Sequence, residues 1–256
     1  MINIKTPAEF KKMEAAGRVV AGTLKLLGEN IHPGITTKEL DRLAHAYIIS
    51  CGAVPTFLGY GGYPASVCIS LNNQVIHGIP GNRKLKEGDI VSCDTGATLD
   101  GFVGDAARTF LCGNVDEKAR KLVQVTRECF FEAIKYCREG YRLSDIGTAV
   151  QTHAEANGYG VVRDYVGHGI GRNMHEDPEV PNFRPQGFKK GLRLKPGMTL
   201  AVEPMINAGT PDVLWMDDEW TVITEDMSLS AHYENTILIT NGKPEIHSLT
   251  EEEKEA

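Results

Sequence analysis

The sequence predicts a fold of the mixed α and β class that is built from two related halves. Three observations support this prediction. Helical and strand-like patterns alternate along all 256 residues without a linker, acidic residues stand on the arms of strand-like hairpins, and short motifs recur in the same order in both parts of the chain. A chain of this length fits one large domain or two halves that share a core.

Four helices are predicted from apolar residues at helical spacing. The segment TPAE at 6–9 is a capping box with a proline at the first helical position, and Thr36 with Glu39 opens a second helix. Two more helices are expected over 116–137 and 144–157. The apolar stripe of the first helix consists of Phe10, Met13, Val20, Leu24 and Leu27.

The strands are predicted from short apolar runs bounded by turn residues, and the Asp100-Gly101 pair indicates a tight hairpin. The last residues, TEEEKEA at 250–256, are expected to form a solvated tail. The strand-like stretches are 65–71, 89–97, 103–111, 161–166, 198–203, 219–224 and 233–240.

An internal repeat relates the two halves. The motif HGI stands at 77–79 and again at 168–170, and LKEGDIVSCD at 85–94 is matched by LKPGMTLAVE at 194–203. Each half then consists of helices, a histidine turn and a hairpin that carries acids. Pairs of glycines with the same separation also bracket one helix in each half: Gly34 with Gly52, and Gly140 with Gly158.

Composition narrows the class of protein. The net charge of -7 argues against a broad nucleic-acid surface, and no apolar run approaches the roughly 20 residues that cross a bilayer. The N-terminal segment lacks the apolar region of a signal peptide, and the six cysteines form no CxxC pair. We therefore expect a cytoplasmic protein with reduced thiols and with no nucleic-acid or membrane partner.

Four acidic residues occupy equivalent places in the two halves. Asp94 and Asp105 stand on the arms of the first hairpin, and Glu203 and Glu234 take the same places in the second unit. Such residues are rarely buried without a partner, and four like charges cannot share a dry site unless protons or cations neutralise them. The pattern therefore favours a site for two divalent metal ions, whereas Asp100 is expected to be only a turn residue.

The histidines are open to a structural and a functional interpretation. His168, within VGHGIG, could be a buried histidine whose ring bonds a backbone carbonyl, and Glu203 before Pro204 could mark only a strand end. The repetition of the acids in both halves favours the metal site. Surface or satisfied positions are expected for four other histidines: His32, His45, His153 and His247.

At these residues the sequence resembles a known family. CDTGATLDGFVGDAARTF, GHGIGRNMHEDP, LAVEPM and LSAHYENTILIT are similar to the motifs of type I methionine aminopeptidases, and the resemblance covers nearly the whole chain. It implies the pita-bread fold, an α+β arrangement of two pseudo-symmetric halves with a curved, mainly antiparallel sheet covered by helices. We expect a single domain over 1–256, with halves at roughly 10–112 and 113–245.

The resemblance also implies a ligand set and its ions. Asp105 and Glu234 would bridge two divalent metals, which manganese, iron(II), cobalt or zinc could supply. A monovalent cation is further implied near Asn72 and Ser230. The five implied ligands of the divalent metals are Asp94, Asp105, His168, Glu203 and Glu234.

The implied activity is hydrolysis of the peptide bond after an N-terminal methionine when the second residue is small. Glu203 is the implied proton shuttle, and His77 and His175 match two non-ligand histidines that would bind substrate and assist catalysis. Phe57 and Met174 depart from the family pattern, which has cysteine and an aromatic residue there. The implied methionine pocket comprises Phe57, Tyr60, Tyr63, Cys68 and Trp220.

The implied partners are peptides and the N-termini of nascent proteins near the ribosome, and the chain is expected to be a monomer. Prolidase and aminopeptidase P share the ligand pattern but normally carry an extra N-terminal domain for which this chain leaves no room. A metal-free binding module would have lost one of the five ligands. A metal-binding protein without activity would give His77 and His175 no role.

Overall fold

The structure is a computed structural model that describes residues 2–184 and 191–255. Within these residues the helices are α1 (Pro7–Asn30), α2 (Thr37–Ser50), α3 (Glu117–Ile134), α4 (Leu143–Ala156) and α5 (Glu251–Glu255), with a 3-10 turn at Tyr60–Gly62. The first eight strands are β1 (Val54–Pro55), β2 (Cys68–Leu71), β3 (Gln74–Ile76), β4 (Ile90–Leu99), β5 (Phe102–Leu111), β6 (Gly160–Val161), β7 (Gly167–Gly169) and β8 (Glu176–Val180). The other strands are β9 (Thr199–Val202), β10 (Met205–Asn207), β11 (Val213–Trp215), β12 (Val222–Thr224), β13 (Ser230–His232), β14 (Asn235–Leu238) and β15 (Glu245–Ile246).

The four predicted helices are confirmed, and two of them begin at the predicted capping boxes. The backbone N–H of Thr6 donates to the Glu9 carboxylate at 2.9 Å, and the Glu9 N–H donates back to the Thr6 hydroxyl at 3.4 Å. Thr36 and Glu39 form the same pair of bonds at 3.0 and 3.1 Å. Each box satisfies backbone donors that the first helical turn leaves without partners.

Two helix pairs cover two apolar cores. α1 packs on α2 over one core, whose members lie between Val19 and Cys112. α3 packs on α4 over the other, whose members lie between Val115 and Ile239 apart from Ile90. The boundary between the two predicted halves, near 112, stays a prediction.

The strands form antiparallel sheets between the helices. The first large sheet has the order β1-β4-β2 with β5 beside β4, and the second has the order β15-β14-β9-β7-β8. Two smaller sheets have the orders β13-β10-β6 and β11-β12-β3. Within the part of the chain that the structure describes, each pairing of these strands is antiparallel.

The LK-x-G part of the sequence repeat has a structural counterpart. Gly88 and Gly197 have φ angles of +89° and +91°, and each stands two residues before a strand, β4 or β9. A left-handed backbone favours glycine because it has no Cβ. The two HGI segments do not occupy equivalent places in the sheets. His168 lies in β7, which pairs with β9, whereas His77 follows β3, which pairs with β12.

The prediction of a solvated tail is wrong. Residues Glu251–Glu255 form α5, and the side chain of Glu253 accepts hydrogen bonds from the buried guanidinium of Arg108 at 2.6 and 3.0 Å. Thr250 and Glu253 exchange capping bonds at 2.9 and 3.2 Å. The acids in this segment made it resemble a tail, but Arg108 is buried and requires an anionic partner.

Strand lengths also differ from the prediction. The stretch expected over 161–166 enters a sheet only at Gly160–Val161. The strands that were not predicted are β1, β3, β7, β8, β10, β11, β13 and β15. They have two to five residues, too few to show a clear alternation of apolar and polar positions.

Candidate metal centre and substrate cavity

The first hairpin places its two acids on one face. β4 and β5 pair residue by residue around Asp100 and Gly101, whose φ angles of 50° and 76° give the predicted tight turn. Asp105 lies opposite Gly96, and Asp94 lies opposite Ala107. Side chains two residues apart on a strand share a face, so Asp94 and Asp105 are diagonal neighbours.

The second large sheet brings three more predicted residues together. Val202 on β9 pairs with Asn235 on β14, so Glu203 and Glu234 stand one step beyond this pair in the same register. His168 on β7 lies opposite Ala201, two residues from Glu203, and this spacing again gives a diagonal pair. The side chain of Asn182 donates to the Glu203 carbonyl at 2.9 Å and fixes the backbone after β9.

Hydrogen bonds to the backbone of β5 join the two large sheets beside the acids. The N–H of Glu234 donates to the Ala107 carbonyl at 3.0 Å. The Thr236 hydroxyl accepts from the Asp105 N–H at 3.0 Å and donates to the Asp105 carbonyl at 2.9 Å. Asp105 and Glu234 therefore meet because β5 and β14 are fastened edge to edge.

One cavity is lined by every residue predicted for the divalent metals, for catalysis and for the methionine pocket. Its further lining residues are Ile76, Tyr165, Val166 and Met174. The predicted residues that line it are Phe57, Tyr60, Tyr63, Cys68, His77, Asp94, Asp105, His168, His175, Glu203, Trp220 and Glu234.

Burial makes the four carboxylates costly as free anions. It raises the pKa of Asp105 to about 7 and, together with the charge of Asp105, raises the pKa values of Asp94 and Glu234 well above the usual range. The pKa of Glu203 is raised well above its usual range by burial and by the charges of Asp105 and Asp94. Cations at this place would reverse these shifts, because an opposite charge favours the ionised form.

Unpartnered oxygen atoms show that the acids fit metal ions. Oδ1 of Asp94, Oδ1 of Asp105 and Oε1 of Glu234 are buried without a hydrogen-bond partner. A buried acceptor without a donor is expensive, and a cation supplies what a donor would otherwise supply. Oxygen donors with an imidazole suit manganese, iron(II), cobalt and zinc better than they suit softer ions.

His168 is oriented as a ligand histidine would be. Its Nδ1 bonds the Gly169 carbonyl at 2.9 Å, which leaves the lone pair on Nε2. Nε2 lies 3.7 Å from Oδ2 of Asp105 and 3.6 Å from Oε1 of Glu203. Burial lowers the pKa of His168, so the neutral ring is favoured. The bond between the His168 ring and a backbone carbonyl, which the sequence analysis considered, is therefore present. It is compatible with a ligand role for Nε2 of the same ring.

His77 and His175 lie on the cavity wall beside this cluster. The His175 ring is 4.3 Å from the His168 ring, and its Nδ1 is 2.7 Å from the Tyr60 hydroxyl. Burial and the neighbouring His175 lower the pKa of His77 to about 4, and burial and His168 do the same for His175. Both rings are thus neutral at pH 7 and can donate or accept a hydrogen bond.

The other wall of the cavity is apolar and aromatic. Tyr63 and Trp220 meet edge to face at 5.1 Å, and the Tyr63 hydroxyl donates to the Gly78 carbonyl at 2.9 Å. Phe57 lies over Gly96, where an added Cβ would come within 2.7 Å of its ring. Because Gly96 faces Asp105 across the hairpin, the apolar wall begins directly beside the acids.

The position expected for a monovalent cation is built mainly from internal hydrogen bonds. The N–H of Ser230 donates to the Asn72 carbonyl at 2.8 Å. The Asn72 amide donates to Asp89 at 2.9 Å, and the Ser230 hydroxyl donates to Asn207 at 2.8 Å. A cation there stays a prediction.

Sequence analysis missed His232. Its side chain is 2% exposed, and its Nε2 lies 3.8 Å from Oε2 of Glu203 and 4.0 Å from Oε2 of Glu234. Burial lowers the pKa of His232 to about 3. The signal that could have found it is its spacing of two residues from Glu234, because such residues share one face of an extended segment.

Known proteins resemble this chain over nearly its full length. It is 54% identical over 249 residues to the methionine aminopeptidase of Clostridium perfringens, covering 97% of this chain and 99% of the relative. The crystal structure of methionine aminopeptidase from Rickettsia prowazekii aligns with a TM-score of 0.94 and 46% identity, covering 97% of this chain and 100% of that one. A prolidase from Pyrococcus furiosus aligns with a TM-score of 0.76 and 22% identity, and this chain covers only 66% of it.

These comparisons confirm the predicted α+β pita-bread fold and the predicted family. The prolidase shares the fold, and the structure combines helices with antiparallel sheets as expected. The family model for metallopeptidases matches residues 11–241 and so includes all the predicted ligands. The chain belongs to metallopeptidase family M24.

Proposed function

We propose that this chain is a metal-dependent aminopeptidase that removes the N-terminal methionine of peptides and nascent proteins whose second residue is small. Family membership and relatives named methionine aminopeptidases support the reaction class. The observation that carries the proposal is the cavity, in which buried acids and an imidazole lie beside an aromatic wall. A long thioether packs well on aromatic edges.

Two divalent ions would be held by Asp94, Asp105, His168, Glu203 and Glu234, with Asp105 and Glu234 in the middle of the set. Bound there, such ions act as Lewis acids and lower the pKa of water. The donor set accepts manganese, iron(II), cobalt or zinc, so the availability of these ions in the cell would decide which of them binds. The monovalent cation near Asn72 and Ser230 belongs to the same proposal.

Glu203 is the group that would move the proton. It lines the cavity, and its Oε1 lies 3.6 Å from Nε2 of His168. A carboxylate placed beside the reacting water can take a proton from it and return that proton to a leaving amine.

His77 and His175 would hold the scissile peptide group. Their neutral rings can donate hydrogen bonds to a carbonyl oxygen whose charge increases during attack. Tyr60 fixes His175 through the 2.7 Å contact, so this ring is positioned before substrate enters. Phe57, Tyr63, Cys68 and Trp220 would surround the methionine side chain.

We further propose that the chain works in the cytoplasm, as a monomer, on chain ends emerging near the ribosome. Within the described residues no helix combines the length and apolar character needed to span a bilayer. Because Ile2 is bulky, the protein would keep its own Met1. Mass measurement of the intact protein tests this point, and a mature chain that begins at Ile2 would contradict the specificity.

The decisive experiment follows methionine release from Met-Ala-Ser and Met-Ile-Ser peptides. Metal-stripped protein is titrated with manganese, iron(II), cobalt or zinc, and the variants are Asp105→Asn and Asp100→Asn. The first variant is expected to lose at least a thousandfold in rate, because it removes a central ligand. The second makes the same change at the exposed turn, where Asn-Gly is equally suitable, and should retain full rate.

Cleavage of Met-Ala-Ser alone, lost in Asp105→Asn, would support the proposal. Absence of cleavage with every metal in a folded protein would reject it in favour of a binding module. Equal cleavage of both peptides would reject only the second-residue preference.

A further inference from the structure

His232 is a buried imidazole for which the proposed reaction has no use. It lies at the end of β13, and it is not among the residues that line the substrate cavity. Its Nε2 is buried without a hydrogen-bond partner. Leaving such an atom unpaired is unfavourable, so a partner of some kind is expected.

Two carboxylates are aimed at this nitrogen. Nε2 lies 3.8 Å from Oε2 of Glu203 and 4.0 Å from Oε2 of Glu234. These separations are too long for hydrogen bonds. They fit donors that share one ion, because metal bonds of about 2.0–2.2 Å place two ligand atoms roughly 3 to 4 Å apart.

His168 provides an internal standard for this geometry. Its Nε2 is 3.6 Å from Oε1 of Glu203, whereas Nε2 of His232 is 3.8 Å from the other oxygen of the same carboxylate. Glu203 therefore lies between two imidazoles and presents one oxygen to each. Both histidines form groups with two neighbouring carboxylates whose ligand atoms all lie within 4.8 Å.

Hydrogen bonds to Thr109 hold the backbone of His232 in place. The His232 N–H donates to the Thr109 hydroxyl at 2.9 Å, and that hydroxyl donates to the His232 carbonyl at 2.9 Å. Thr109 belongs to β5, four residues beyond Asp105, so the same strand fixes both sides of the cluster. These bonds fix the backbone from which the ring projects.

We propose that His232 is a further metal ligand, which with Glu203 and Glu234 forms an additional donor set beside the one that contains His168. This inference rests on the proposed metal site and extends it by one imidazole. A second imidazole favours cobalt and zinc over manganese, since nitrogen donors suit those ions better than they suit harder ones.

The test measures metal binding rather than catalysis. Metal-stripped wild type, His232→Gln, His168→Gln and His247→Gln are titrated with cobalt or manganese by equilibrium dialysis, and the visible spectrum of cobalt is recorded. His247 is a matched control, because it is also buried and its Nε2 lies 3.8 Å from a carboxylate, but that carboxylate, Glu245, is mostly exposed. Circular dichroism checks that each variant is folded.

We expect His232→Gln to weaken cobalt binding at least tenfold, to weaken manganese binding less, and to change the cobalt absorption band. His247→Gln should behave as wild type does. If His168→Gln weakens binding while His232→Gln matches wild type in affinity and spectrum, the inference is overturned and the proposed function stands. If wild type itself binds neither metal, both are overturned.

A second measurement avoids dependence on the folding of the variant. Wild-type protein labelled with ¹⁵N-histidine is titrated with zinc, and the ring nitrogens are observed by NMR. Two imidazoles with the Nε2 shift of a metal-bound nitrogen are expected. A single such ring would overturn the inference.

Discussion

The two pairs of acids at the candidate metal centre are held in different ways. Asp94 and Asp105 stand on one hairpin whose ten-residue arms, β4 and β5, pair along their whole length. Glu203 and Glu234 stand beyond the ends of four-residue strands, and the chain between them passes through β10 to β13. Local structure positions the first pair, whereas contacts from the other half of the molecule position the second.

Arg108 is the main contact of this second kind. Its guanidinium donates to the Glu234 carbonyl at 2.6 Å, to the Asn235 side chain at 2.8 Å and to Glu253 at 2.6 Å, and it lies 4.1 Å from the centre of the Tyr233 ring. One buried cation thus connects the hairpin, the segment that carries Glu234, and the C-terminal helix. The comparison predicts that the second pair of acids is the more sensitive to distant changes.

The largest expected effect is that of Arg108→Met. It leaves the largely buried Glu253 carboxylate without its cationic partner, so the free energy of unfolding should fall by about 3 kcal/mol, measured by urea denaturation. Arg18→Met removes an exposed pair with Glu14 and should change stability by less than about 0.5 kcal/mol. If Arg108→Met and Arg18→Met changed the free energy of unfolding equally, the segment that carries Glu234 would not depend on Arg108.

A pH series tests the acids themselves in metal-free protein. Burial raises the pKa of Asp105 from 3.8 to about 7, so between these values the folded protein holds a proton that the unfolded chain releases. The stability from this proton is present below about pH 4 and is lost as the pH rises towards 7. The slope would be at most about 1.4 kcal/mol per pH unit.

Asp105→Asn should remove this slope, because asparagine does not titrate. The other three acids have raised pKa values and add slopes of the same sign, and buried histidines with lowered pKa values add the opposite slope, so the informative quantity is the difference between wild type and variant. Asp100→Asn at the exposed turn is the control. Parallel pH profiles for wild type and Asp105→Asn would contradict the buried, proton-binding state of this acid.

The smallest expected effect concerns the local hairpin. Gly101 has a φ of +76° and open space around its Cβ position, so Gly101→Ala costs only backbone strain, about 1 kcal/mol. Gly242→Ala has open space and no positive φ, and it should be nearly neutral. Metal affinity should fall little in either variant, since the paired arms hold Asp94 and Asp105. A large loss of affinity in Gly101→Ala would show that the turn, rather than the paired arms, positions the acids.

Sequence reasoning succeeded where the signal was local. The capping boxes at Thr6 and Thr36 gave helix starts, and Asp100-Gly101 gave the turn that puts Asp94 and Asp105 on one face. It failed where a partner is distant. Glu253 belongs to a segment whose acidic composition is typical of a solvated tail, and its partner Arg108 lies 145 residues away in the sequence.

His232 shows a second limit of sequence reasoning. Its position two residues before Glu234 fits a shared face, but a lone histidine in a strand is more often structural than a ligand. Only the fold shows that its ring is buried, that its nitrogen is unpartnered and that two carboxylates are near it. The repeated HGI motif did not predict equivalent places in the sheets for a related reason, since three residues do not determine which strand a segment joins.

The sequence alone determined the helices and the hairpin, because spacing along one chain fixes which side chains share a face. It predicted the acid set from the repeat and the family from the resemblance of its motifs. The tertiary structure alone decided how β5 and β14 join at Ala107 and Glu234 and how Arg108 binds the C-terminal helix. It also decided that Nε2 of His232 lies 3.8 Å from the Glu203 carboxylate. These contacts join residues remote in sequence, and their free energy depends on burial that no local pattern records.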